Sequence, residues 1–334
     1  MSPNSVDPTF LISAERSGSS LLRLMLDHHP EIAFATEFGW AVAKIGDDGS
    51  LPDVVAFAEW LRRQRGFDYD IDVRLDYRAL VADILLQKRQ RSGGKQFVGG
   101  TIHHAFHRVP YLWPRARFVH LVRDPRDVAR SVLQKGWAGN LYDAAGWWVA
   151  AESSWDRLVP QLQADQFVEV RFEDLVAQPV ECLERICSLI GTTFSEEMLT
   201  YSSSAKQYPK PDKGLAFQWK NAMKDRDIRL VEARTGTLLA TRPYDLVHDD
   251  ARPKGAFAHR LLLLQARLLR LPGRIEKFGL WPVIGNMVGR KLRFRWLERR
   301  TQEQIDRTTL RHLAEEAAGG RAPSSNLEPW RSRS

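Results

Sequence analysis

Ala14-Glu15-Arg16-Ser17-Gly18-Ser19-Ser20 sets small residues, hydroxyls and one guanidinium side by side. Small residues let a backbone wrap an anion. Ser17, Ser19 and Ser20 add hydroxyl donors, and Arg16 adds a charged fork. If a helix starts here, its free N–H groups and positive dipole end face the same anion. The pattern is not that of a triphosphate loop. GxxxxGK[ST] fails, because no lysine stands where β- and γ-phosphates need one. A second group is Arg123-Asp124-Pro125-Arg126-Asp127 with Ser131. Ser131 lies two helical turns beyond Arg123, so both can reach one phosphate over a helix start. Each group has a plainer alternative. The first can be a Ser/Gly turn that caps a helix. In the second, Asp124 can cap the helix while Arg123 pairs with a carboxylate.

The flanking segments say what must hold these residues. Thr9–Ala14 is an apolar run that reads as a buried parallel strand, and residues 19–28 have one apolar helical side. Arg117–Val122 is a second strand of the same kind, with Pro125 suited to the first turn of the next helix. Phe167–Val170 gives a third strand and Gln96–Val98 a weaker fourth. Helices are expected over 53–65, 76–91, 104–112, 141–163 and 179–190. Strands alternating with helices predict an α/β fold: a three-layer sandwich on a central parallel, doubly wound sheet, with ligands at the carboxyl ends of its strands.

Arg16–Phe38, RSGSSLLRLMLDHHPEIAFATEF, resembles the 5′-phosphosulfate loop of sulfotransferases that use PAPS (3′-phosphoadenosine-5′-phosphosulfate). It is most similar to the tyrosylprotein branch and to bacterial members. Phe118–Val132, FVHLVRDPRDVARSV, resembles the family's 3′-phosphate motif. The two stand in the family's order, and the resemblance covers about residues 9–247. It implies a P-loop-like fold and sulfuryl transfer from PAPS to an acceptor hydroxyl on a carbohydrate, lipid or small molecule. It also implies that Arg16, Ser17, Gly18, Ser19 and Ser20 hold the 5′-phosphosulfate, and Arg123 and Ser131 the 3′-phosphate. Glu37, 21 residues after Arg16, stands where the tyrosylprotein branch keeps its base. A carboxylate there can take the proton of the attacking hydroxyl. No metal is expected, since arginine and amides neutralise the donor.

Three departures from the family pattern stand out. The Lys-Thr-Pro-like lysine is missing from Val98–His104, and Lys95 stands too early to replace it. His103 is the expected substitute, as positive charge, proton source or alternative base, with His104 second. A Tyr-Glu-Asp motif is here Phe172-Glu173-Asp174. The late nucleotide loop survives only as Gln218-Trp219-Lys220, with Lys220 a candidate for the 3′-phosphate. These gaps keep two alternatives open: a nucleotide-binding, membrane-associated scaffold without catalysis, and a small-molecule kinase. Trp137, Trp147, Trp148 and Trp155 read chiefly as packing, with Gly136–Asn140 as a stretch of acceptor wall.

The chain has 334 residues and a net charge of +8. From Ala251 onward, 18 Lys and Arg face 7 Asp and Glu, so the basic character belongs to the tail. Together with the resemblance over 9–247, this predicts a sulfotransferase domain over 1–250, a basic amphipathic helical extension over 251–318 and a disordered tail over 319–334. The stretch 256–300 suits packing on the body, a homodimer contact or an anionic membrane surface. Nothing resembles a base-reading module, so nucleic acid is not an expected partner. Two cysteines without zinc spacing, a polar N-terminus and no apolar run of about 18 residues predict a cytoplasmic protein, with peripheral contact at the inner face of the membrane.

Overall fold

A computed structural model describes residues 7–62, 64, 67–201, 211–248, 255–292 and 294–318. The expected tail 319–334, most of the expected loop at 206–214 and most of the linker at 249–255 lie outside the described residues.

The chain opens with β1 (Thr9–Ile12), α1 (Ser19–His28) and β2 (Ile32–Glu37), followed by α2 (Trp40–Ala43), α3 (Val54–Arg62) and α4 (Tyr77–Arg91). β3 (Phe97–Ile102), a 3-10 turn at Phe106–Tyr111 and β4 (Arg117–Val122) come next, then α5 (Pro125–Gln134) and α6 (Leu141–Leu158). β5 (Phe167–Arg171), α7 (Phe172–Ala177), α8 (Pro179–Ile190), α9 (Trp219–Ala222), α10 (Asp225–Thr235) and α11 (Thr237–Ala240) complete the body. α12 (Ala256–Phe278), α13 (Leu280–Lys291) and α14 (Arg295–Ala318) form the extension.

The five strands form one parallel sheet in the order β2-β3-β1-β4-β5. Successive residues of a strand face opposite sides. Phe10, Ile12, Phe118 and Val122 accordingly enter one core with α4, α5 and α6, while Leu11, Val119 and Leu121 enter another with α1 and α8. The result is the expected α/β sandwich of three layers. α1 leaves β1 on one face and the chain moves toward β2. α5 leaves β4 on the other face and the chain moves toward β5. β1 and β4 are therefore neighbours whose connections diverge, and a crevice opens between their carboxyl ends.

β3 runs four residues further than expected, to Ile102, and carries Gly99 and Gly100. A Cβ on Gly100 would stand 2.7 Å from Cβ of Phe38, so the bare backbone makes room for an aromatic layer. The expected helix at 104–112 is only the 3-10 turn, since Pro110 lies inside it. The expected helix at 141–163 stops at Leu158, before Pro160. β2 completes the sheet edge and ends at Glu37.

The extension touches the body through α12. Asn140 Nδ2 donates to Leu262 O at 2.9 Å, Tyr142 Oη lies 3.0 Å from His259 Nδ1, and Arg270 donates to Trp137 O at 2.9 Å. A Cβ on Gly139 would stand 1.8 Å from Ala266 O, so that backbone approach admits only glycine. Among the described residues no helix is long and apolar enough to cross a membrane.

Candidate active site

The site is built from the segments that leave the strands at the carboxyl edge of the sheet. β1 delivers Ser13 to Ser20. Gly18 caps α1 at φ 93°, a left-handed conformation, and no side chain caps that helix end. A Cβ there would lie 2.3 Å from the Phe172 ring. Phe172, first residue of α7, thus closes the underside of the loop. Arg16 also has a positive φ of 70°, which turns its side chain across the crevice. Its Nε donates to Ser131 Oγ at 3.0 Å, and its guanidinium lies 5.7 Å from the Trp137 ring centroid.

β4 delivers Arg123 at the sheet edge. Its Nη1 donates to Arg16 O at 3.3 Å and its Nη2 to Leu215 O at 2.9 Å. The guanidinium also stacks over Phe172 at 4.2 Å. Trp148 Nε1 fixes the Arg123 carbonyl from below at 2.9 Å. Burial disfavours the Arg123 cation, and Asp127 opposes that effect. A poorly hydrated cation is a strong partner for a phosphate. Ser17 Oγ and Arg123 Nε are buried and have no hydrogen-bond partner among the described residues. Two unused donors beside a left-handed glycine turn fit a doubly anionic nucleotide.

The second arginine of the motif does other work. Arg126 is 2% exposed and grips Asp124 with two bonds of 2.8 Å and Glu232 with one of 2.9 Å. Asp124 caps α5 and accepts from Trp219 Nε1 at 2.9 Å. The capping reading of Asp124 therefore holds, and Arg123 also has a carboxylate partner in Asp127, 3.9 Å away. Trp219 N also donates to Asp127. The Gln218–Lys220 segment is thus tied to the first turn of α5. Lys220 itself is exposed, and its ammonium lies over Phe217 at 4.8 Å.

β2 and β3 deliver Glu37 and His103. Glu37 is exposed, and its Oε1 lies 3.6 Å from His103 Nε2. His103 Nδ1 lies 3.0 Å from Ser13 O, just before the loop. Burial alone would lower the His103 pKa, but the charges of Glu37 and Glu15 reverse this and raise it to about 9. The imidazole is therefore a cation at neutral pH. His104 goes the other way: burial, reinforced by the charge of His103, lowers it to about 4. Lys95 binds Asp27 O and Ile32 O at the opposite edge of the sheet.

The fold brings Arg16, Ser131 and Arg123 together, and it sets Glu37 against His103. Sequence reasoning missed the support beneath them. Trp148 under Arg123 carries no signal in sequence beyond an indole in an amphipathic helix. The Leu215 carbonyl contact carries none at all.

The sequence profile of the sulfotransferase family matches residues 8–196, and the chain belongs to that family. The match takes in Arg16–Phe38 and Phe118–Val132, and with them Glu37 and His103. Mouse carbohydrate sulfotransferase 5 is 22% identical over 72% of this chain and 81% of its own. A putative protein-tyrosine sulfotransferase of Caenorhabditis briggsae is 22% identical over 57% of this chain and 67% of its own. Among solved structures, the sulfotransferase domain of the Synechococcus PCC 7002 olefin synthase is similar, with 23% identity, 74% and 98% coverage and a TM-score of 0.49. The chain is a sulfuryl transferase on a five-stranded parallel sheet.

Proposed function

We propose that the donor is PAPS and that its two anionic ends are held by the β1–α1 and β4–α5 junctions. The observation that carries this is the direct contact of those junctions: Arg16 Nε on Ser131 Oγ at 3.0 Å and Arg123 on Arg16 O at 3.3 Å. A single adenosine nucleotide can reach both. Arg16, Ser17, Gly18, Ser19 and Ser20 take the phosphosulfate. Arg123 and Ser131 take the 3′-phosphate, with Lys220 at its outer side.

The reaction is in-line displacement. The acceptor oxygen bonds to sulfur, the bond from sulfur to the bridging phosphate oxygen breaks, and the acceptor proton passes to Glu37. Negative charge grows on the departing phosphate. Arg16, the start of α1 and the His103 cation stabilise it, as preorganised positive groups do. His103 in this role stands in for the lysine that the family motif places near this point. The likeness to a carbohydrate sulfotransferase over most of the chain puts a sugar hydroxyl first among acceptors to test.

Calorimetry tests the donor. Adenosine 3′,5′-bisphosphate should bind, and ATP should bind at least about 100-fold more weakly. Arg123→Ala should remove about 2–4 kcal/mol of the bisphosphate's binding energy, as loss of a charged hydrogen-bonding partner does. Equal affinity for ATP, or an unaffected Arg123→Ala variant, would sink the assignment. Labelled-sulfate transfer from PAPS into a panel of sugars then reports the acceptor.

A further inference from the structure

α12 has two opposed faces. His259, Leu262, Ala266 and Arg270 recur at helical spacing and touch the body. At about 100° per residue, Phe257, Leu261, Leu264 and Leu268 point the opposite way. All four are exposed, Phe257 by 82%. The α13–α14 hairpin adds Trp281 and Trp296, exposed by 80% and 68%. Between its helices lies a groove of about 320 Å³, lined by both indoles, Ile284 and Val288, with Arg300 beside them. Arg295, Arg299 and Arg300 line the adjoining hollow with Trp296 and one acid, Glu303. Apolar side chains this large and this concentrated mark an interaction surface.

The charge chooses the occupant. Residues 256–318 hold 13 Lys and Arg against 6 Asp and Glu. One of those acids, Glu298, is already paired with Arg290 at 3.4 Å. A second copy meeting this face would bring cation against cation. An anionic bilayer would neutralise the arginines, receive the leucine stripe and seat the indoles at headgroup depth. We propose that α12–α14 dock this sulfotransferase onto an anionic membrane surface, with an acyl chain in the α13–α14 groove and its phosphate against Arg295, Arg299 and Arg300. This inference is independent of the donor assignment.

Vesicle flotation of the full chain tests it. The protein should float with phosphatidylglycerol-containing vesicles at low and physiological salt, less at high salt, and not with pure phosphatidylcholine. Trp281→Ser with Trp296→Ser should cut binding at least about tenfold, and so should Arg295→Ala with Arg299→Ala and Arg300→Ala. All five positions are exposed, and an unchanged helical circular-dichroism signal and thermal midpoint check that each variant is folded. Should one set fail to fold, the other carries the test. Absence of flotation with anionic vesicles, equal flotation with neutral ones, or wild-type binding by folded variants would overturn the proposal. A dimer in light scattering that both sets of substitutions dissolve, without flotation, would overturn it in favour of a second copy.

Discussion

Arg123 and Arg126 stand three residues apart in one motif and do unrelated things. Arg123 is the last reach of β4 and faces the crevice, where Ser131 also points. Arg126 is turned inward by the first turn of α5 and neutralises two buried carboxylates. Sequence alone places an arginine at the strand end, which is why Arg123 was legible. The inward turn of Arg126 depends on Glu232, 106 residues on, and could not be read. Glu37 and His103 are a sharper case. Each was a separate candidate, yet they work on one another. The His103 pKa of about 9 exceeds its ordinary 6.5, so the cation's stabilising contact is fully present below pH 6.5 and is lost as pH rises through about 9. Sulfuryl transfer should therefore fall on an alkaline limb near pH 9. In Glu37→Gln the turnover should drop by about 10²–10⁴-fold, the range for loss of a positioned base, with donor affinity little changed. The His103 titration followed by NMR should move down, because its main charged partner is gone. An unmoved His103 resonance would show that the two side chains do not interact.

Elements explain the next layer, and here glycine positions decide. β1 and β4 were plain in sequence because both are short apolar runs ending in turn residues. β3 was only half visible. Gly99 and Gly100 depress any strand signal, and their purpose, admitting Phe34 and Phe38, appears only once β2 is paired beside them. Gly18 combines two demands: a left-handed φ and contact with Phe172. Gly18→Ala should cost about 1–3 kcal/mol of stability from backbone strain and overpacking. It should also weaken bisphosphate binding, since the loop amides would be displaced. Adding Phe172→Leu should return part of the loss, because it removes the clash but not the strain. A double variant no better than the single one would place the whole cost in φ. Gly139→Ala addresses the other contact, where its Cβ would meet Ala266 O. It should push α12 off α6 and make the extension sensitive to limited proteolysis, while bisphosphate binding survives.

The whole molecule is held across its sheet by a buried polar group that no motif announced. His120 in β4 lies between Glu152 of α6, at 3.3 Å, and Glu169 of β5, at 3.1 Å, and stacks on Trp155. Arg242, just after α11, closes the set on Glu152 at 2.6 Å. Single residues from distant segments carry this group, so neither periodicity nor spacing could reveal it, just as the strand order could not be read before the crossovers were seen. Burial would lower the His120 pKa, but the two carboxylates more than reverse that, and its net shift is upward from 6.5. Glu152 resists burial through His120 and Arg242 and shifts down from 4.5. Glu169 shifts down through its bond to His120. The signs come from linkage. The histidine's contribution is complete below pH 6.5 and fades as pH rises through its raised value. The carboxylates' contribution is complete above pH 4.5 and fades as pH falls through their lowered values. Both are whole only between about 4.5 and 6.5. His120→Gln should therefore lower the thermal midpoint most in that window, with the gap to wild type narrowing on either side. Glu152 would be left buried against Arg242 alone, and breaking such a group costs about 3–5 kcal/mol. A gap that stays constant from acid to alkali would mean that His120 sits neutral in the fold and that its two carboxylates are held by other partners.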